Sequence, residues 1–291
     1  NAMNRIRTVA VFPTVFTLGN LICGFFAIVV AARVERPTSL EIAPSADIVF
    51  RNPTRVMRQL DPTDDTHNIM LSGWLIFLAM LFDALDGHVA RLSRATSDFG
   101  GQLDSLSDVV SFGVAPGFLL VKMCPTFTFS HDQVWIIAAS FAACAALRLA
   151  RFNVETTQDD DHLHFSGLPS PAAGASIAGF ALLFYELRRQ GNEFLYAEQI
   201  DTVVQSILPF FALLVAVLMV SRIPYPHVVN QMLRGQRSFG HIVALLFAAV
   251  AIMSIHAYSV PLIGALFVLS GPIRYLWVRA VQRRPSEEPM F

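Results

Sequence analysis

The chain has 291 residues, 54% hydrophobic and only 15% charged, with a formal net charge of −1. A soluble domain carries about 25% charged residues, so this composition excludes an ordinary soluble globule and points to an all-α, polytopic membrane protein. The net charge says nothing about nucleic acid, and no basic stripe interleaved with aromatics appears, so no nucleic-acid partner is expected.

Asn1-Ala2 ahead of Met3 reads as a tag remnant. By apolar length, spans are expected near residues 12–32, 70–92, 103–123, 133–152, 169–187, 205–221, 239–256 and 258–279, about eight in all. The first carries no small-residue cleavage site and reads as an anchor. Residues 33–68 hold Pro37, Pro44, Pro53 and Pro62 with mixed charge and read as an external loop or surface helix. Cys23, Cys124 and Cys144 fall in apolar stretches without metal or disulfide spacing and read as small buried hydrophobes.

Arginine placement gives the orientation. With the amino terminus inside, the short inner segments hold Arg5, Arg7, Arg91, Arg94, Arg222, Arg234, Arg237, Arg283 and Arg284. The short outer ones hold only Lys122, Arg188 and Arg189. This asymmetry puts both termini in the cytoplasm. The second span then runs inward and the third outward, so the end of one and the start of the other share a depth.

That depth carries the chemistry. Asp83-Ala-Leu-Asp86-Gly87-His-Val-Ala90-Arg91 closes the second span, and Gly100, Asp104 and Asp108 open the third. Ionisable groups at membrane depth are costly and are retained for function. Asp83 and Asp86 project from one helix face, as do Asp104 and Asp108. Four carboxylates share a low-dielectric site only around positive charge, and the oxygen-preferring divalent cations Mg²⁺ and Mn²⁺ suit them. A divalent-cation transporter is the competing class, but transporter sites sit near the midplane between repeats, and no repeat is visible here.

The pattern D-x2-D-G-x2-A-R-x8-G-x3-D-x3-D resembles the signature of the CDP-alcohol phosphotransferase family at every fixed position. Pro13-Thr-Val-Phe-Thr17-Leu-Gly-Asn20 is similar to the family's amino-terminal element. Ser111-Phe-Gly-Val-Ala-Pro116, Arg148-Leu-Ala-Arg151-Phe-Asn153, Ser166-Gly-Leu-Pro169-Ser-Pro171 and Met219-Val-Ser-Arg-Ile223 resemble its membrane-integral, phosphatidylserine-forming branch. The resemblance implies a core over residues 3–225, a helical extension over 226–291 and a homodimer in a prokaryotic inner membrane, with the site facing the cytoplasm. The reaction implied is transfer of the phosphatidyl group from CDP-diacylglycerol to the hydroxyl of L-serine, releasing CMP. Glycerol 3-phosphate, inositol phosphate and choline are the competing acceptors.

The same resemblance distributes roles. Asp83, Asp86, Asp104 and Asp108 hold the metal, a pair of ions by family analogy, and Asp108 is also the general base. Pro13, Thr17, Asn20, Asp83, Gly87, Ala90, Arg91 and Gly100 form the CDP pocket, with Gly100 expected in a tight turn. Arg148, Arg151, Asn153 and Ser166 are the acceptor candidates. The two arginines are read equally as a carboxylate grip or as positive-inside anchors. Asp159-Asp-Asp161, His162 and His164 read as a solvated polar loop.

Overall fold

The computed structural model of the chain describes residues 2–34, 63–93, 98–125, 131–155, 167–188, 196–225 and 255–282. Every long element among them is a helix. In chain order these are α1 (Ala2–Ala32), α2 (Thr63–Ser93), α3 (Asp98–Asp108), a π-helical segment (Val109–Val114), α4 (Ala115–Met123), α5 (His131–Glu155), α6 (Ser170–Arg188), α7 (Ala197–Val220) and α8 (His256–Gln282). The segment from α3 through α4 is one continuous rod. Seven stretches among the described residues are long and apolar enough to cross a membrane. They match seven of the eight expected spans. The expected span at 239–256 lies almost wholly outside the described residues, as do Asp159 to His164 and most of the loop after Val34.

α1 lies along α2, and the rod from α3 to α4 runs through the middle, covered by α5 and α6. Phe112, Leu119 and Leu120 from the rod, Ile76 from α2, Phe141 from α5 and Phe184 from α6 are fully buried. Apolar side chains also face outward at helical spacing: Leu18, Ile22 and Phe25 on α1, Ile207 and Phe210 on α7, Leu262, Leu266 and Ile273 on α8. A lipid-facing helix surface looks like this, and lipid provides no hydrophobic drive between helices. Small residues and side-chain hydrogen bonds therefore set the packing. A Cβ on Gly24 would collide with Ser111, so only glycine lets α1 close on the rod there. A Cβ on Gly117 would likewise come within 2.9 Å of the Ala138 carbonyl oxygen. Ser72 donates to the Ala27 carbonyl at 2.9 Å, and Lys122, the only lysine, donates to the Val34 carbonyl just past the end of α1 at 2.7 Å. Cys23, Cys124 and Cys144 are free thiols, the first two buried.

One expectation is corrected. Gly100 does not form a turn into the third span. It is the third residue of α3, which begins at Asp98.

Candidate active site

The last turns of α2 and the first turns of α3 lie side by side, and this brings the two aspartate pairs together. One carboxylate oxygen from each of Asp83, Asp104 and Asp108 lies within 4.8 Å of the others. Asp86, buried on the same stretch of α2, lies beside Asp104 and accepts a hydrogen bond from Thr17 of α1. Asp86 is therefore at the edge of the trio and bridges it to α1.

α1 supplies the opposite wall. Thr17 Oγ1 donates to Asp86 Oδ2 at 2.7 Å, and Asn20 Nδ2 donates to Asp108 Oδ1 at 3.0 Å. The three-residue spacing of Thr17 and Asn20 puts both on one face of the helix, and both are buried. The π-helical segment starts directly after Asp108, and its Ser111 Oγ donates to the Asn20 backbone carbonyl at 3.0 Å. A π turn widens the helix and is frequent beside functional residues. Here it carries Ser111 against α1 within one turn of Asp108.

Three buried polar atoms have no hydrogen-bond partner among the described residues: Asn20 Oδ1, Asp104 Oδ1 and Arg148 Nε. A buried acceptor or donor left unpaired costs about 1–3 kcal/mol, so such atoms mark a ligand position. Asp104 also belongs to the close carboxylate trio, whose mutual repulsion a bound cation would relieve. The donor set is all hard oxygen, drawn from two rigid helices, and fits a divalent ion of the Mg²⁺ or Mn²⁺ type.

The acceptor-side candidates divide. Arg148 Nη1 donates to Ser170 Oγ at 3.0 Å, and its guanidinium lies within electrostatic reach of Asp108. Arg151 Nη1 instead donates to the Val220 carbonyl at the end of α7, at 3.1 Å. Asn153 Nδ2 donates to Ser105 Oγ at 2.9 Å, beside Asp104. The loop before α6 closes the same side. Gly167 N–H donates to the Ile223 carbonyl and Leu168 N–H to the Leu218 carbonyl, both at 3.0 Å. Gly167 has φ +92°, and a Cβ there would meet the Met219 oxygen at 2.6 Å. Only glycine takes that conformation without strain.

Of the expected site residues, Thr17, Asn20, Asp83, Asp86, Gly87, Asp104, Asp108, Arg148 and Asn153 gather at this end of the bundle. Arg151 lies on its rim. The side chains of Pro13, Ala90 and Arg91, and all of Ser166, fall outside the described residues. Ser105, Ser111 and Ser170 were not singled out as site residues, although each lies inside or between the motifs that were.

Similarities to known proteins bear on this geometry. The family described as CDP-alcohol phosphatidyltransferase matches residues 10–269. A CDP-diacylglycerol–serine O-phosphatidyltransferase of Methanocaldococcus jannaschii is 41% identical over 157 residues, covering 54% of this chain and 64% of the relative. One of the same name from Helicobacter pylori is 32% identical over 213 residues, covering 73% and 83%. An archaetidylserine synthase of Methanothermobacter thermautotrophicus is 37% identical over 156 residues, covering 53% and 57%.

Proposed function

The chain belongs to the CDP-alcohol phosphatidyltransferase family, and on that premise we propose that it transfers the phosphatidyl group of CDP-diacylglycerol to the hydroxyl of L-serine, yielding phosphatidylserine and CMP. The observation that carries this reading is the meeting of Asp83, Asp104 and Asp108 within 4.8 Å, walled by Thr17 and Asn20. The relatives named for serine transfer favour serine as acceptor.

Asp83, Asp86, Asp104 and Asp108 would hold the divalent metal, read here as two ions, Mg²⁺ or Mn²⁺. Bound metal supplies charge neutralisation for the pyrophosphate and for the departing phosphate. The rest falls to the side chains. Asn20 fixes one oxygen of Asp108, and Asp108 accepts the proton of the serine hydroxyl. The serine oxygen bonds to the lipid-side phosphorus as the bond from that phosphorus to the bridging oxygen of CMP breaks. Helix-borne groups locked by hydrogen bonds do this work chiefly by positioning. Arg148 has a spare buried N–H at Nε and presents it on the acceptor side, where an anionic carboxylate takes it well.

We read the site as facing the cytoplasm on the arginine asymmetry, and the membrane as a prokaryotic inner membrane on the family resemblance. A homodimer rests on the family resemblance.

The test is CMP release by the purified protein from CDP-diacylglycerol with Mn²⁺ or Mg²⁺, offering serine, glycerol 3-phosphate, inositol phosphate and choline in parallel. Release with serine alone supports the reading. Release only with another acceptor keeps the family reaction and discards serine.

A further inference from the structure

α8 lies far along the chain from the aspartates, yet one side chain joins it to the site's rim. Val268 and Pro272 are four apart on α8. In a helix the carbonyl of residue 268 takes its bond from the N–H of residue 272, and proline has none. The Tyr225 hydroxyl fills that gap, donating to the Val268 carbonyl at 2.8 Å in a buried setting. The ring needs room to do so. A Cβ on Gly271 would strike it, with Tyr225 Cε1 only 2.6 Å away. The absent N–H, the absent Cβ and the phenol make a fitted socket. For apolar packing alone phenylalanine would serve, and the ring does lie against Phe267 at 5.8 Å between centroids. The hydroxyl is what answers the orphaned carbonyl.

Tyr225 ends a short stretch whose other face builds the acceptor side. Two residues before it, Ile223 accepts the Gly167 N–H, and Leu218 accepts the Leu168 N–H. Between them, Val220 accepts Arg151. Ser170, which holds Arg148, follows three residues after Gly167. α8 also packs on α6 itself, where a Cβ on Gly179 would come within 3.2 Å of the Pro261 backbone. A displacement of residues 221–225 therefore acts on the Gly167 N–H through Ile223, and through that loop on Ser170 and its bond to Arg148. The aspartates on α2 and α3 share none of these bonds.

We propose that Tyr225 is a positioning residue for the acceptor: seated in the Val268–Gly271–Pro272 socket, it lets α8 hold the Gly167 loop, and with it the Ser170–Arg148 contact, in place. This rests on the reading of that side as the acceptor pocket.

The test compares wild type, Tyr225→Phe, Gly271→Ala, Pro272→Ala and the double variant Tyr225→Phe/Pro272→Ala. Amide hydrogen exchange at Gly167 and Leu168 is measured alongside KM for serine and for CDP-diacylglycerol. Tyr225→Phe should speed exchange at those two amides and raise the serine KM about fivefold, the scale of one lost buried hydrogen bond. The KM for CDP-diacylglycerol should hold within about twofold. Pro272→Ala returns an N–H to Val268, so in that background Tyr225→Phe should lose most of its effect. Gly271→Ala should reproduce Tyr225→Phe. Unchanged exchange in both Tyr225→Phe and Gly271→Ala overturns the proposal, as does an equal rise in both KM values. If wild type turns over with a different acceptor, the serine assignment fails by itself. The exchange measurement still decides the role of Tyr225, and the KM comparison runs with that acceptor.

Discussion

Asn20 and Asp108, 88 residues apart in sequence, are joined by a 3.0 Å hydrogen bond from the amide to the carboxylate. The bond links the amino-terminal helix to the residue assigned as general base, and it turns a pocket-lining role for Asn20 into control of that base's orientation. Asn20→Ala should lower kcat about 10- to 100-fold, the scale of a hydrogen bond to a charged group. The KM for CDP-diacylglycerol should move far less. A steady-state comparison checks this, and an unchanged kcat would return Asn20 to packing between helices.

Thr17 acts one step further out, on Asp86. Thr17→Val keeps the shape and removes the 2.7 Å bond. A lost outer partner of a metal ligand weakens metal affinity about 10-fold or more. The Mn²⁺ concentration for half-maximal CMP release should rise by that order, while kcat at saturating Mn²⁺ stays near wild type. Metal titration of both proteins reads it directly.

Asp83→Asn and Asp104→Asn should each abolish metal-dependent turnover in protein that still inserts and purifies normally. They should also remove the rise in Tm that Mn²⁺ confers on wild type through binding to the folded state. The thermal measurement needs no turnover. A full Mn²⁺ shift in both variants would take these carboxylates out of the metal shell.

Arg148 and Arg151 should separate. Arg148→Lys keeps the charge and loses the planar fork and its Nε donor, so the KM for the acceptor should rise about tenfold or more with little change for the nucleotide lipid. Arg151, which spends a donor on the Val220 carbonyl, should show a smaller and partly structural effect when changed to lysine. Equal effects of the two substitutions would contradict the division.

Gly167→Ala forces a side chain into φ +92° and against two carbonyl oxygens, at 2.6 and 2.8 Å. Strain of this kind costs about 1–3 kcal/mol. The variant should melt lower than wild type and bind the acceptor more weakly. A Tm equal to wild type would show that the loop rearranges freely.

Much of this was readable before any coordinates. The aspartate spacing and the inward–outward order of two spans require the carboxylates to share a depth, and they do. Apolar length located seven of the spans because backbone polar groups at membrane depth must bond internally, which leaves the helix as the available form. What was hidden depends on contacts across the bundle. Nothing local says that Asn20 faces Asp108 rather than a nucleotide, since a buried amide suits either. Gly100 misled because glycine permits a turn without requiring one, and here it lies in the first turn of α3. Arg148 and Arg151 share a helix face by spacing, yet Ser170 takes one and the Val220 carbonyl the other, a choice made by elements far along the chain. Pro272 was the one unused signal for Tyr225: a proline deep in an apolar span announces an orphaned carbonyl four residues earlier.

The most direct measurement is CMP release from CDP-diacylglycerol in the presence of serine and Mn²⁺ by wild type and Asp108→Asn, with CDP-diacylglycerol binding measured on the same preparations. The account predicts release by wild type, none by Asp108→Asn, and bound nucleotide lipid in both. Undiminished release by Asp108→Asn would contradict the assignment of the aspartate cluster as the seat of phosphatidyl transfer.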